Sequence, residues 1–144
     1  MTLNLIKLCV GCDSIDHLAR WQKERVQALK KRGAKVELTH TTRMVPKRIE
    51  ELLDGGSLYW VIKGTVAVRQ RLIDIRPFVD KEGVPRCHLV LDKDLVIVAP
   101  RPRRAFQGWR YLDEADAPPD LPKAMKPDGV SEKMRRELAE LGLL

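Results

Sequence analysis

Three stretches of this 144-residue chain carry the side chains best suited to chemistry, and all three are basic. The first is HTTRMVPKR at 40–48, with His40, Thr41, Thr42, Arg43, Lys47 and Arg48. Hydroxyls and free amides just ahead of a helix, flanked by guanidiniums, are the parts of a phosphate or carboxylate site. A short helix opening at Pro46 would add the positive end of its dipole. The plainer reading is a capped turn with solvated arginines. The second stretch, RPRRAFQGWRY at 101–111, interleaves Arg101, Arg103, Arg104 and Arg110 with Phe106, Gln107, Trp109 and Tyr111. Rings that stack on bases, beside cations that meet phosphates, suit single-stranded nucleic acid. As a strand over 105–112 it would set Phe106, Gly108 and Arg110 on one face and Gln107, Trp109 and Tyr111 on the other. One face must pack on a core, so some of these rings are structural. The third stretch holds Tyr59, Trp60, Lys63, Arg69, Gln70 and Arg71. Arg69 and Arg71 share a side of their strand and could clamp an anion at a barrel mouth. Trp60 lies in phase with Leu58 and Ile62, which favours a place in the core.

Metal and covalent chemistry are poorly supported. Cys9-Val10-Gly11-Cys12 is a single C-x-x-C, and strand alternation would send Cys87 and His88 to opposite faces. The cysteines read better as small buried hydrophobes, and no metal or cofactor is expected. There is no Gly-x-Ser-x-Gly elbow, phosphate loop or dinucleotide fingerprint, and Asp54-Gly55-Gly56 reads as a turn. Cys12, His17 and His40 make a nucleophile and base on paper only, because no group stands out to orient them.

The totals bound the class. Hydrophobic residues make up 44% and charged residues 33%, the balance of a folded single domain and not of a disordered chain. No apolar run approaches the roughly 20 residues that cross a bilayer, and a cytoplasmic location is expected. Three cysteines, an odd number, argue against a disulfide framework. The net charge of +7 is uneven: 20–48 carry ten Lys/Arg against two Glu, and 63–110 carry eleven against five acids. By contrast, 111–144 hold five against eight. A basic body with an acidic tail points to a polyanionic partner.

Certain elements are needed to position those residues. An opening strand over Leu3, Leu5, Ile6 and Leu8 precedes a helix capped by Asp13 or Ser14, whose stripe Ile15, Leu18, Ala19, Val26 and Leu29 is broken by Gln22. Lys30, Lys31 and Arg32 oppose the dipole of its last turn, before Gly33. Val36, Leu38 and His40 alternate as a half-buried strand. Residues 55–112 then form the β core. Gly64 reads as a bulge or sharp bend in a long strand whose phase slips near 70–72, and Asp80–Gly83 as a hairpin loop. Pro100 and Pro102 exclude a central strand there. A proline-rich linker at 113–130 leads to a last helix at 131–142, capped by Ser131. The fold expected is α+β, one domain over 1–144: a curled antiparallel sheet or small β-barrel with flanking helices.

Three segments, HTTRMVPKR, ELLDGGSLYWVIKG at 51–64 and RRAFQGWRYL at 103–112, resemble a bacterial family catalogued as domain of unknown function 1489. The likeness runs through the closing ELAELGLL and implies a small standalone protein with no assigned biochemistry. In strand order, YWVIKG, a kinked basic strand ending LIDIRPF and then a hairpin are also similar to the PUA-like β-barrels, whose members commonly bind RNA or modified nucleobases. Together these readings predict an RNA-binding module. Its candidate site is His40, Thr42, Arg43, Lys47, Arg48, Trp60, Lys63, Arg69, Arg71, Arg103, Arg104, Gln107, Trp109 and Arg110. One alternative is an enzyme or receptor for a small anionic ligand such as a nucleotide or modified base. Another is a protein-interaction module using the acidic, proline-rich tail.

Overall fold

The computed structural model describes residues 2–122. The proposed last helix and the linker beyond Pro122 lie outside the described residues. In chain order the elements are β1 (Leu3–Leu8), α1 (Ile15–Lys31), β2 (Leu38–Thr42), α2 (Ile49–Leu53), β3 (Ser57–Ile62), β4 (Thr65–Val79), β5 (Pro85–Leu91), β6 (Val96–Pro102) and β7 (Trp109–Asp113). A single 3₁₀ turn, Glu114–Asp116, follows. The class is α+β and mostly sheet.

The sheet order is β2-β5-β4-β3-β1-β7, with β6 also paired to β4. It is mixed and not purely antiparallel, because β1 runs parallel to β3, with Leu5 beside Leu58 and Lys7 beside Trp60. The β core therefore extends outside 55–112: β1 lies inside the sheet between β3 and β7, and β2 forms an edge. The ring is not closed, since β2 and β7 do not pair. Side chains span that gap instead. Trp109 Nε1 donates to the Met44 carbonyl at 2.8 Å, and the Tyr111 hydroxyl accepts from the backbone N–H groups of Lys47 at 3.0 Å and Arg48 at 3.2 Å.

β3 and β4 are separate strands, joined by a two-residue turn. Lys63 and Gly64 both take positive φ, at 48° and 77°, the backbone that a tight hairpin matched to strand twist requires. Gly64 is thus a hairpin turn and not a bend within one strand. The phase slip near 70–72 is a register shift between Leu72 and Asp74, where β4 passes from its partner β3 to its partner β5. β6 includes both prolines and, among the named strands, pairs with β4 alone, so it is not a central strand, in keeping with the expectation from Pro100 and Pro102. Its ladder jumps from Val68–Ile97 to Val66–Arg101, so Val98, Ala99 and Pro100 sit opposite Ala67 alone, and Pro102 ends the strand. A bulge and a strand terminus are the places where a missing N–H costs the ladder nothing.

All six residues of β3 are buried, because both faces of the sheet are covered. The larger core joins Leu3, Leu5, Leu58, Trp60, Ile62, Leu72, Leu89 and Leu91 to Ile15 and Leu18 of α1. The smaller one, on the opposite face, joins Ile6, Tyr59, Val61, Val66, Val98 and Leu112, with Phe106 and Ala117 packed against it. The stretch after β7 crosses this face and docks on β6, where Ala99 N–H donates to Pro119 O and Leu121 N–H to Ile97 O.

α1 begins as its cap dictates: Ser14 Oγ accepts from His17 N–H, and Lys30 and Lys31 close the last turn. Gln22, which interrupts the apolar stripe, reaches a polar node at Gln70, a residue of zero exposure. The two amides bond reciprocally at 2.8 Å. Gln70 Oε1 also accepts from Trp60 Nε1 at 2.8 Å, and Gln70 Nε2 donates to the Asp92 carbonyl at 2.9 Å. Both lone pairs and both N–H groups of Gln70 are therefore used. Replacing Gln70 with Leu strands Trp60 N–H, the Gln22 amide and Asp92 C=O at once. We expect a loss on the order of 3 kcal/mol in urea unfolding, against a smaller loss for Gln22→Leu, whose amide lies nearer water.

Candidate functional site

The two basic–aromatic segments at 40–48 and 101–111 meet. The Trp109 and Tyr111 bonds fix the loop after β2 against β7, and Met44 Cε lies 3.5 Å from where a Cβ on Gly108 would stand. Tyr111 also stacks edge-on against Trp109, and the Arg48 guanidinium sits 5.5 Å from its ring centroid. On the next loop, Arg103 and Arg110 both lie over Phe106, at 5.2 and 5.4 Å. Arg103 N–H donates to Gly64 O, which brings the exposed Lys63 turn beside the same cluster.

The anion cradle expected around Pro46 is not there. The helix starts at Ile49, spans five residues and has no side-chain cap. The amides of Lys47 and Arg48 are already bonded to Tyr111. Thr42 is buried and its hydroxyl donates to Met44 O, while Thr41 meets His88 Nδ1. What remains is a cationic edge. Arg43, Lys47, Arg103 and Arg104 are exposed, and among the described residues none of them pairs with a carboxylate. Arg48 is held by Glu51, which lowers the carboxyl pKa through a side-chain hydrogen bond. Gln107 is exposed and its carbonyl accepts from Arg110. Trp109, in contrast, is a core residue.

Arg69 and Arg71 stand apart from this edge. Arg110, Ile6, Tyr59 and Arg69 form one cross-strand row, so Arg69 is three strands from Arg110, about 14 Å at the usual strand spacing. Arg69 grips Asp120 through two bonds of 2.7 Å and donates to Ser57 Oγ at 3.1 Å. That pairing raises the Arg69 pKa and lowers that of Asp120. The surrounding cleft, about 310 Å³, includes Tyr59, whose phenol is pushed up by burial. An arginine already neutralised this way is a poor anion clamp. Trp60 is in the core at 3% exposure, with its N–H spent on Gln70.

His40 falls in a different place, a cavity of about 80 Å³ between α1, β2 and the end of β1. Leu38, Leu91 and Trp60 line its apolar wall, and the His40 ring meets Trp60 edge to face at 5.1 Å. Lys7 and Arg25 also line it, and no acid does. Burial first, and then repulsion from Lys7 and Arg25, lower the His40 pKa to about 4, so the ring is neutral at pH 7. Its Nε2 is buried without a partner. Sequence reasoning missed Lys7 and Arg25, although Lys7 shares the inward phase of Leu3 and Leu5, which marks an inward-facing cation.

Cys9, on the rim of that cavity, is joined to Cys12 by a disulfide with Cα atoms 5.6 Å apart. Both are buried, as expected of small hydrophobes, and the pairing between them was not foreseen. Cys87 is a free, buried cysteine, and among the described residues no cluster of three His, Cys, Asp or Glu could hold a metal. No described helix is long and apolar enough to cross a membrane.

Two outcomes follow from this geometry. Tyr111→Phe removes the oxygen that accepts from two backbone N–H groups, and denaturant unfolding should show a loss of about 1–2 kcal/mol. For His40, the unfolded ring takes up its proton near pH 6.5 and the folded ring only near 4. Stability should therefore fall as pH drops from about 6.5 to 4, by up to roughly 3 kcal/mol. His40→Gln should remove that slope in parallel unfolding series.

No curated protein and no solved structure matches the chain. The family described as a protein of unknown function (DUF1489) matches residues 5–144, nearly the whole sequence, and the chain belongs to it.

Proposed function

We propose that this protein binds RNA, most naturally single-stranded RNA in the cytoplasm, along the edge where the loop after β2 meets β7 and the 101–108 loop. The observation that carries this reading is the seam itself. Trp109 and Tyr111 spend their polar atoms holding Met44, Lys47 and Arg48 in place, so two cationic segments far apart in sequence share one surface. Exposed Arg43, Lys47, Arg103 and Arg104 supply phosphate contacts. Phe106, half-buried with the Arg103 and Arg110 guanidiniums near its ring, offers an aromatic side chain flanked by cations, the combination that single-stranded bases and phosphates meet. Closure of the sheet into a PUA-like barrel is not needed for this surface, which depends on the seam and not on a ring of strands.

The test is fluorescence anisotropy with a labelled single-stranded RNA over a series of salt concentrations. Log affinity should fall linearly with log salt. The double variant Arg103→Ala/Arg104→Ala should weaken binding and flatten the slope by about one for each phosphate that is no longer neutralised. Arg71→Ala, which removes exposed charge away from the edge, should change little beyond its share of the net charge. No binding at low salt, or equal losses in both variants, would remove this reading.

A further inference from the structure

Lys7 is an unusual lysine. Its ammonium is partly buried, burial lowers its pKa, and among the described residues no carboxylate or carbonyl pairs with it. Burying a cation without a partner is costly, and a folded chain retains such a charge readily where a ligand completes it. Arg25, from α1, lines the same cavity and is likewise unpaired among the described residues. His40, with an unpartnered buried Nε2, lines the cavity with them. The remaining wall is mostly apolar, with Thr39 and Gln22 its polar members, and at the mouth Trp21 and Val10 are 47% and 77% exposed.

Size narrows the occupant. The cavity of about 80 Å³ is roughly half the volume of an apolar protein cavity that admits benzene, so it encloses a head group and not a nucleotide. We propose that this cavity binds the oxyanion head group of a small acid, a carboxylate or a phosphate monoester. The anion lies between Lys7 and Arg25 within reach of His40 Nε2, and the apolar remainder of the ligand emerges past Trp21. The proposal is independent of the RNA surface, although the two adjoin: Trp109, Lys7 and Trp60 are neighbours in one cross-strand row.

The probes are benzoate, inorganic phosphate and benzyl alcohol, each titrated into the full chain by calorimetry and by NMR of the His40 ring protons. Benzoate or phosphate should bind and shift the His40 signals, with benzyl alcohol at least tenfold weaker. Lys7→Met, which keeps the aliphatic stem, and Arg25→Gln, at an exposed position, should each lower anion affinity at least fivefold. Melting curves identify any variant that fails to fold, and Arg25→Gln keeps the test decisive if Lys7→Met does. A 5′-phosphorylated RNA oligonucleotide compared with its 5′-hydroxyl form distinguishes the source: a preference for the phosphorylated end assigns the anion to RNA, and equal binding assigns it to a free small acid. No binding by either anion, equal binding of benzyl alcohol, or affinities unchanged in both variants would overturn the proposal. Loss of RNA binding at the arginine edge would leave it standing.

Discussion

The buried carboxamide of Gln70 is the interaction on which the architecture most depends. Its partners converge from three places: the indole of Trp60 on β3, both ends of the Gln22 amide on α1, and the Asp92 carbonyl between β5 and β6. Apolar packing alone would allow α1 to slide or rotate over the sheet, because hydrophobic contact has no direction. A fully satisfied polar cluster in low dielectric tolerates one arrangement, and any slippage leaves several groups unpaired together. The node therefore sets the distance between α1 and the sheet, and with it the dimensions of the cavity walled by Leu18, Trp60 and His40.

A second constraint acts at the open side of the sheet. Strands β2 and β7 lie too far around the curl to share a ladder, and Trp109 and Tyr111 replace it with three bonds to the loop between them. These bonds consume backbone groups of 44–48 that would otherwise need water. They leave the charged side chains of that loop pointing outward. The cations on this surface thus owe their position to two aromatic residues with little exposure of their own.

Much of the local structure could be read from the sequence. Ser14 as a cap, the Asp80–Gly83 hairpin and the phase slip near 70–72 each carry a signal within a few residues, and each appears in the fold. The misreadings have a common cause in long-range pairing. Gly64 looked like a kink because nothing local reveals that β3 and β4 turn back on each other. Pro100 and Pro102 rightly excluded a central strand, but that a non-central strand runs through them rests on a bulge at Pro100 defined by Ala67, about thirty residues away. The cradle at Pro46 failed because Tyr111, sixty-odd residues on, takes its amides. Gln22 and Lys7 were visible as polar intrusions in apolar patterns. Reading them as the near halves of the Gln70 node and the cavity needs the partners that only topology supplies.

The position of β1 has a consequence for how the chain assembles. It pairs with β3 some fifty residues later in the chain and with β7 about a hundred residues later. Neither side of it can be zipped by a local hairpin, so the loop-closure entropy must be met before those ladders form. Such a topology has high contact order and folds slowly for its size.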